Sequence, residues 1–193
     1  MRMQPRLAAH DLACRRGDRL LFRKVTFALE AGDALHVVGA NGIGKSSLLR
    51  QLAGLMRPFA GNLEREGTVG LIDERLALDE DVRLCEALRF WSRMDGAVED
   101  GLERMGLAGL ADVPVRYLST GQRKRAAFAR LLAAAPSIQL LDEPLNGLDS
   151  DGHALIEALI AEHRAKGGLC IVASHQPIAL PDAATLDLAA FAA

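Results

Sequence analysis

Residues 35–47 read Leu35-His36-Val37-Val38-Gly39-Ala40-Asn41-Gly42-Ile43-Gly44-Lys45-Ser46-Ser47, an apolar run that breaks into a glycine-rich loop ending in lysine and serine. The loop matches the pattern G-x-x-x-x-G-K-[ST], whose backbone N–H groups surround bound phosphates. In that pattern the ammonium group of Lys45 reaches the β- and γ-phosphates, and the hydroxyl of Ser46 binds Mg²⁺. The stretch therefore predicts a nucleotide-phosphate site from Gly39 to Ser47.

The residues on either side of the loop support this interpretation. Residues 34–38 are rich in β-branched residues and predict a strand, whereas residues 47–54 carry apolar side chains at helical spacing before a glycine. A helix that begins at the loop directs its unpaired N–H groups and its positive dipole end toward the phosphates. The alternative is a glycine-rich turn before an ordinary helix; the motif and its flanks together favour phosphate binding.

Size and composition restrict the other possibilities. The chain has 193 residues, of which 50% are hydrophobic and 4% aromatic, which indicates one compact domain with a core of its own. A formal charge of −2 gives no electrostatic argument for nucleic acid, and we interpret Arg123-Lys124-Arg125 as a solvated helix face.

The three cysteines fit neither a disulfide framework nor a zinc site. The chain has neither a signal peptide nor an uncharged apolar stretch of about 18 residues, so we expect that it does not cross a membrane by itself.

The rest of the chain alternates between strand and helix patterns. Helices are predicted at 122–134 and 151–163, and the segment 76–117 is predicted to be mostly helical. Strands are predicted at 7–14, 25–29, 34–38, twice within 61–72, and at 137–141, 169–173 and 185–191. This alternation indicates an α/β fold with a mainly parallel sheet flanked by helices.

Two carboxylates follow the strand predicted at 137–141. In the sequence Leu141-Asp142-Glu143-Pro144, Asp142 is placed to hold Mg²⁺ opposite Ser46, and Glu143 is placed to polarise the water that attacks the γ-phosphate. Taken alone, the pair fits a helix-capping carboxylate followed by proline equally well. The phosphate loop earlier in the chain favours the catalytic interpretation.

Three further motifs resemble those of the ATP-binding cassette (ABC) ATPases. Leu118-Ser119-Thr120-Gly121-Gln122, about twenty residues before the carboxylates, resembles the signature motif of that family. Leu145-Asn146-Gly147-Leu148-Asp149 resembles its D-loop, and Ser174-His175-Gln176 resembles its histidine switch. The resemblance covers essentially the whole chain.

The resemblance implies a phosphate-loop NTPase of ABC type with ATP and Mg²⁺ as ligands. It implies one domain over residues 1–193, with a small antiparallel β subdomain and a helical subdomain inserted at about 75–117. Two copies are expected to dimerise head to tail, so that Ser119 and the N–H groups of Gly121 and Gln122 bind the γ-phosphate of the partner's ATP. Lys45, Glu143 and His175 form the implied catalytic set, with His175 keeping Glu143 and the water in line.

Two positions depart from the family pattern. Where the family usually has an aromatic residue stacked on adenine, this chain has Arg16, so any stacking there comes from a guanidinium group. Where the family usually has a glutamine that touches Mg²⁺, an ungapped comparison places Glu74. The departure at Arg16 affects selectivity for adenine, and the departure at Glu74 affects coupling to a membrane partner.

Several shorter segments resemble one branch of the family, the ATP-binding subunits of cytochrome c maturation systems. They are Leu12-Ala13-Cys14, residues 48–58, Leu88-Arg89-Phe90, residues 112–115 and Ser174-His175-Gln176-Pro177. The resemblance implies a peripheral position on the cytoplasmic face of the bacterial inner membrane, bound to integral membrane subunits. ATP hydrolysis would drive haem export or release, with haem handled by the complex and not bound by this chain. Three alternatives are the ATPase of a different ABC transporter, a soluble ABC protein acting on DNA or ribosomes, and a regulatory nucleotide-binding module without turnover.

Overall fold

The computed structural model describes residues 4–92 and 96–192 and divides the chain into two compact units. We call Met1–Asp73, Ser137–Pro144 and Ile156–Ala193 the sheet unit, and Glu74–Pro136 and Leu145–Leu155 the helical unit. The described helices are α1 (Lys45–Leu52), α2 (Leu84–Arg89), α3 (Ala97–Arg104), α4 (Thr120–Ala134) and α5 (Ser150–Ala165). The described strands are β1 (Arg6–Arg16), β2 (Arg19–Leu29), β3 (Ala34–Val38), β4 (Ala60–Glu66), β5 (Val69–Ile72), β6 (Ile138–Asp142), β7 (Leu169–Ala173) and β8 (Ala184–Asp187).

The sheet unit contains a five-stranded parallel sheet in the order β5-β6-β7-β3-β8. Strands β6 and β7 are buried along their whole length, and their sequences are correspondingly close to continuous apolar runs. A smaller antiparallel sheet has the order β2-β1-β4. The predicted α/β architecture with a small antiparallel sheet is confirmed.

The core of the sheet unit joins both sheets to α1. Leu48, Leu49 and Leu52 from α1 are fully buried, and they belong to the same apolar cluster as Leu12 of β1 and Ile171 of β7. Burial of a leucine side chain contributes about 1.5–3 kcal/mol. The helix that follows the phosphate loop is therefore fixed on the sheet by its apolar face.

In the helical unit, α3 packs closely on α4. A Cβ atom at Gly101 of α3 would lie 2.9 Å from the carbonyl oxygen of Ala129, a separation that leaves no room for a larger residue. The guanidinium carbon of Arg130 lies 4.8 Å from the ring centre of Trp91, a cation–π contact within the same unit.

The segment 76–117 contains less helix than the sequence predicts. Residues 74–83 form no helix, and the first helix of the segment begins at Leu84. Within this stretch the side chain of Asp79 accepts a hydrogen bond from the N–H of Asp81 at 3.0 Å, a local turn that competes with helical hydrogen bonding. The wrong prediction came from apolar spacing alone, which cannot detect this competition.

The last strand is also shorter than predicted. The expected strand at 185–191 is observed as β8, which ends at Asp187 and continues into a 3₁₀ turn at Leu188–Phe191. The Asp187 side chain accepts the N–H of Ala189 at 2.9 Å and so ends the strand.

None of the described helices is long and apolar enough to span a bilayer. The single-domain organisation over 1–193 stays a prediction.

Candidate functional site

The loop between β3 and α1 depends on glycine at two positions. Gly39 and Gly44 have φ angles of 138° and 120°, which side-chain-bearing residues rarely adopt. A Cβ atom at Gly39 would lie 3.2 Å from the Ile43 side chain, and one at Gly44 would lie 3.1 Å from the ring of Phe22. The loop therefore curls against its own residues and against β2, as a phosphate-binding loop requires.

Lys45 begins α1 and is turned back over this loop. The residue is only 6% exposed, and its ammonium group donates to the carbonyl oxygens of Gly39 at 2.7 Å and Ala40 at 3.4 Å. These two acceptors orient the ammonium group at the loop, and a phosphate oxygen offers a stronger, charged acceptor at the same place. Ser46, the next residue, is half-buried in the first turn of α1.

The side chain of Ser47 is buried within the sheet unit. It is 5% exposed, and its side chain forms a hydrogen bond with Cys14 of β1. Burial raises the pKa of the Cys14 thiol, while the Ser47 hydrogen bond and the positive charge of Arg16 lower it in part. The Ser47 hydroxyl thus attaches α1 to β1, and its part in binding phosphate stays a prediction.

The two carboxylates lie where β6 ends. Asp142, the last residue of the strand, is 4% exposed. Glu143 turns the chain sharply: its N–H donates to the carbonyl of Ala173 in β7 at 2.8 Å, and its φ angle is 47°. Because its φ angle is positive, Glu143 departs from strand geometry, and its side chain points in a different direction from that of Asp142.

Glu143 and His175 are in direct contact. Nδ1 of His175 lies 2.9 Å from Oε2 of Glu143, and the backbone N–H of His175 donates to the same oxygen at 3.4 Å. A tight turn holds the histidine, because the Ser174 hydroxyl donates to the Gln176 carbonyl and accepts the Gln176 N–H, both at 3.0 Å. The contact agrees with the predicted role of His175 in keeping Glu143 in line, a role that stays a prediction.

Strand order explains how these groups meet. Strand β7 lies between β6 and β3, and all three run parallel, so their carboxyl ends share one edge of the sheet. The loop containing Lys45, the carboxylates after β6 and the histidine after β7 therefore meet at the edge where parallel sheets bind ligands.

The donor set at this edge fits Mg²⁺ shared with a nucleotide. Mg²⁺ is usually bound by one or two carboxylates together with substrate phosphates and water. In residues 4–92 and 96–192, no cluster of three or more histidine, cysteine, aspartate or glutamate side chains is arranged to hold a metal. The Oδ1 atom of Asp142 is buried and accepts no hydrogen bond from the described residues, although the residue makes other interactions.

In the helical unit, Ser119 caps the N-terminus of α4. Its hydroxyl accepts the N–H of Gln122 at 3.2 Å, and the Gln122 side chain accepts the N–H of Ser119 at 2.8 Å, which makes a complete capping box. The sequence signal for this box is the pattern Ser-x-x-Gln at residues 119–122. The Ser119 hydroxyl therefore already occupies the Gln122 N–H, one of the two predicted phosphate donors.

A second contact in the helical unit joins α4 to the start of α5. Oδ1 of Asp149 accepts the Gly152 N–H at 2.9 Å and the Arg125 guanidinium at 3.0 Å. The Gly152 hydrogen bond, helped by the charge of Arg125, lowers the pKa of Asp149. A Cβ atom at Gly121 would lie 3.1 Å from the carbonyl of Gly147, so the turn before α5 packs against the first turn of α4.

The two departures from the family pattern lie at the surface. Arg16 is exposed at the end of β1, and Glu74 is exposed as the first residue of the helical unit. The residue before it, Asp73, is buried and forms an ion pair with Arg50 of α1 at 2.9 Å. The predicted contact between Glu74 and Mg²⁺ stays a prediction.

A glycine-rich phosphate loop, two carboxylates and a histidine at adjacent parallel strand ends define the nucleotide-binding class of phosphate-loop proteins. The family model described as ABC transporter matches residues 22–146. The chain belongs to this family of ABC transporter ATP-binding proteins, and its ligand is accordingly ATP.

Close relatives share one name. The chain is 56% identical over 185 residues to the "Cytochrome c biogenesis ATP-binding export protein CcmA" of Novosphingobium aromaticivorans, with 96% of each chain covered. It is 53% identical to the protein of the same name from Zymomonas mobilis, covering 97% of this chain and 86% of the relative. A solved structure described as an ABC transporter ATP-binding protein from Pyrococcus furiosus matches with a TM-score of 0.84 at 22% identity, covering 97% of this chain and 100% of that one. At that identity, the likeness concerns the fold.

Proposed function

We propose that this chain is the ATP-hydrolysing subunit of a membrane ABC complex for cytochrome c biogenesis, which couples hydrolysis to haem export or haem release. The main support for ATP hydrolysis is the contact between Glu143 and His175, which lies at the same edge of the sheet as the phosphate loop. The names of the relatives from Novosphingobium and Zymomonas support the biological process.

The chemistry follows from groups of the sheet unit. On nucleotide binding, the Lys45 ammonium exchanges backbone carbonyls for β- and γ-phosphate oxygens. A carboxylate oxygen of Glu143 accepts a proton from the attacking water as the new bond to the γ-phosphorus forms and the bond to the β–γ bridging oxygen breaks. His175 keeps the Glu143 carboxylate in position through Nδ1, and in its protonated form its second N–H, on Nε2, donates to the γ-phosphate, which gains negative charge during the transfer.

The proposed Mg²⁺ ligands are Ser46, Asp142 and Glu74. When bound, Mg²⁺ neutralises charge on the β- and γ-phosphates and lowers the barrier to transfer. The position of Asp142 at the end of β6, on the sheet edge that also carries the phosphate loop, supports this assignment.

The helical unit supplies the second half of the proposed site. A partner copy would place Ser119, Gly121 and Gln122 over the γ-phosphate of this chain's ATP, in a head-to-tail dimer. The start of α4 suits that role because helix N-termini bind anions through exposed N–H groups and the positive end of the dipole. Integral membrane subunits would hold the dimer on the cytoplasmic face of the inner membrane, and haem would be handled by those subunits.

The decisive experiment replaces Glu143 by glutamine in the assembled complex. Removal of the general base should lower ATP hydrolysis by about 10²- to 10⁴-fold, while ATP binding persists and the ATP-bound dimer accumulates. Glu103→Gln, an exposed residue of α3, is the matched control and should hydrolyse ATP normally. Brisk turnover by Glu143→Gln would contradict the catalytic assignment.

Purification of the complex tests the biological process. Affinity purification of the Glu143→Gln variant with ATP should recover membrane subunits of cytochrome c maturation, because the trapped dimer remains bound to its partners. Recovery of an unrelated permease would instead support the alternative of a different ABC transporter. Hydrolysis by the wild-type complex that depends on Mg²⁺ would exclude a regulatory module without turnover.

A further inference from the structure

The basic run Arg123-Lys124-Arg125 at the start of α4 is not the solvated helix face that the sequence predicts. Lys124 is buried, and Arg123 and Arg125 are half-buried. Arg125 bonds to Asp149, so it takes part in the contact between α4 and the start of α5. A positive charge in the first turn of a helix is opposed by the positive end of the helix dipole, so Arg123 depends on contacts outside the helix.

The guanidinium group of Arg123 joins two segments of the helical unit. Its Nε donates to the carbonyl oxygen of Leu118 at 3.1 Å, and its Nη1 lies 3.7 Å from Oε1 of Glu80. Leu118 is 3% exposed and directly precedes Ser119, the cap of α4. One side chain therefore holds both the first residue of the signature motif and a carboxylate from the segment before α2.

The segment that leads into the signature motif fixes Glu80 in turn. The carbonyl of Glu80 accepts the N–H of Arg116 at 3.0 Å. The guanidinium of Arg116 forms an ion pair with Asp81 at 2.7 Å. Because the backbone on both sides of the Glu80 carboxylate is held, its contact with Arg123 restricts where the arginine can lie.

The backbone just before α4 is extended and benefits from such a support. Leu118 and Ser119 have ψ angles of 142° and 165°, and they connect a 3₁₀ turn at Val115–Tyr117 to the helix. A hydrogen bond from a charged donor is stronger than one between neutral groups. The bond from Arg123 to the Leu118 carbonyl therefore sets the direction in which the chain enters α4, and with it the direction of the first N–H groups of the helix.

We propose that Arg123, held by Glu80, is a positioning residue that aligns the start of α4 on the γ-phosphate of the partner copy's ATP. It acts through the carbonyl of Leu118 and does not itself contact the nucleotide. The inference rests on the proposed head-to-tail dimer and assigns the pair of side chains that aligns the second half of its site.

ATP hydrolysis by the assembled complex and ADP binding by the full chain test the proposal together. Arg123→Ala should lower kcat about tenfold, because a small displacement of groups that act on the transition state is costly. The Kd for ADP, measured by calorimetry, should stay within about twofold of the wild-type value, since ADP has no γ-phosphate for these N–H groups to bind.

Arg83→Ala is the matched control. Arg83 forms an exposed ion pair with Asp112 at 3.3 Å in the same unit, and within the described part of the chain it forms no ion pair with residues 118–122. Differential scanning fluorimetry should show similar small decreases in Tm for both variants, because exposed ion pairs contribute little to stability. The kcat of Arg83→Ala should equal that of the wild type.

A double variant tests the link between the two side chains. Glu80→Ala should lower kcat less than Arg123→Ala does, because the arginine keeps its bond to the Leu118 carbonyl. Since both residues act through one contact, the variant with both substitutions should lose no more activity than Arg123→Ala alone. Losses that multiply in the double variant would overturn the assignment of Glu80.

The remaining outcomes separate this inference from the function on which it rests. Equal kcat values for Arg123→Ala and Arg83→Ala would overturn the positioning role. A parallel loss of ADP affinity in Arg123→Ala would also overturn it, because the effect would then extend beyond the γ-phosphate. Absence of ATP hydrolysis by the wild-type complex would instead contradict the proposed function itself, and the inference with it.

Discussion

The sheet unit and the helical unit hold their functional groups in opposite ways. In the sheet unit, buried or half-buried charges engage one another or the backbone: Lys45 bonds to carbonyls of its own loop, and Glu143 bonds to His175. In the helical unit, Ser119 and Gln122 form a neutral, exposed capping box at the start of α4. The difference fits the proposed roles, in which the sheet unit carries the chemistry and the helical unit offers backbone donors to a phosphate.

The difference also predicts how substitutions in each unit affect catalysis and stability. Removing a charge from the sheet unit leaves its partner in a poorly solvated place, which costs more than the lost hydrogen bond itself. Removing a polar group from the exposed start of α4 leaves its partner in contact with water. Substitutions should therefore affect catalysis strongly in the first unit and mainly stability or partner binding in the second.

The largest effect is expected for Lys45→Met. Methionine keeps the length of the side chain but removes the charge that holds the β- and γ-phosphates, so ATP hydrolysis should fall by at least about a hundredfold. ADP binding measured by calorimetry should weaken with it. Lys166→Met, at an exposed lysine of the same unit directly after α5, should behave as the wild type. Normal nucleotide affinity in Lys45→Met would break the comparison, because the sheet unit would not depend on its buried charge.

A smaller effect is expected for His175→Ala. Loss of the 2.9 Å contact frees the Glu143 side chain, and displacement of a catalytic group costs up to about a hundredfold in turnover. ADP affinity should stay unchanged because His175 does not hold the phosphates of the diphosphate. His10→Ala, an exposed histidine of β1, is the control. Equal turnover by the wild type and His175→Ala would show that Glu143 is positioned without its histidine.

Ser119→Ala tests the helical unit. Loss of an N-cap costs about 1 kcal/mol, which corresponds to a decrease in Tm of roughly 2–4 °C in a chain of this size. Differential scanning fluorimetry should show this decrease, and Ser119→Thr should recover most of it, since threonine also caps. ADP binding to the single chain should not change. A strong loss of ADP affinity would contradict the division of labour between the units.

The smallest effect concerns His163 in α5. Burial lowers the pKa of His163 below its ordinary value of 6.5, so the folded state binds this proton less readily than the unfolded state does. The stability from the neutral ring is complete above about pH 6.5 and decreases as the pH falls toward the folded-state pKa. Between about pH 7.5 and 5.5 the Tm of His163→Gln should therefore fall less than that of the wild type or His10→Gln. Equal decreases in all three proteins would rule out His163 as the source.

The parts of the fold that the sequence predicts correctly have strong local signals. Strand β7 is observed at Leu169–Ala173, as predicted, because a short β-branched run after two glycines has little alternative to a buried strand. The glycines of the phosphate loop likewise determine a local backbone shape. Local patterns fail where a side chain competes with the backbone, as Asp79 does before α2 and Asp187 does after β8.

The arrangement of the site depends on information that no local pattern contains. Glu143 and His175 are 32 residues apart and meet only because β6 and β7 are neighbours in the sheet. The ion pair between Arg50 and Asp73 likewise joins residues 23 apart in sequence. Residue types predict which groups belong to the site, but the contacts between them follow from strand order.

The left-handed backbone of Glu143 has a consequence for the evolution of this chain. A non-glycine residue in that conformation costs about 1 kcal/mol, and asparagine or glycine tolerates it better. Thermal stability alone would therefore favour replacement of the residue on which hydrolysis is proposed to depend. A library screened only for heat resistance should lose glutamate at this position, whereas one screened for ATP turnover should retain it.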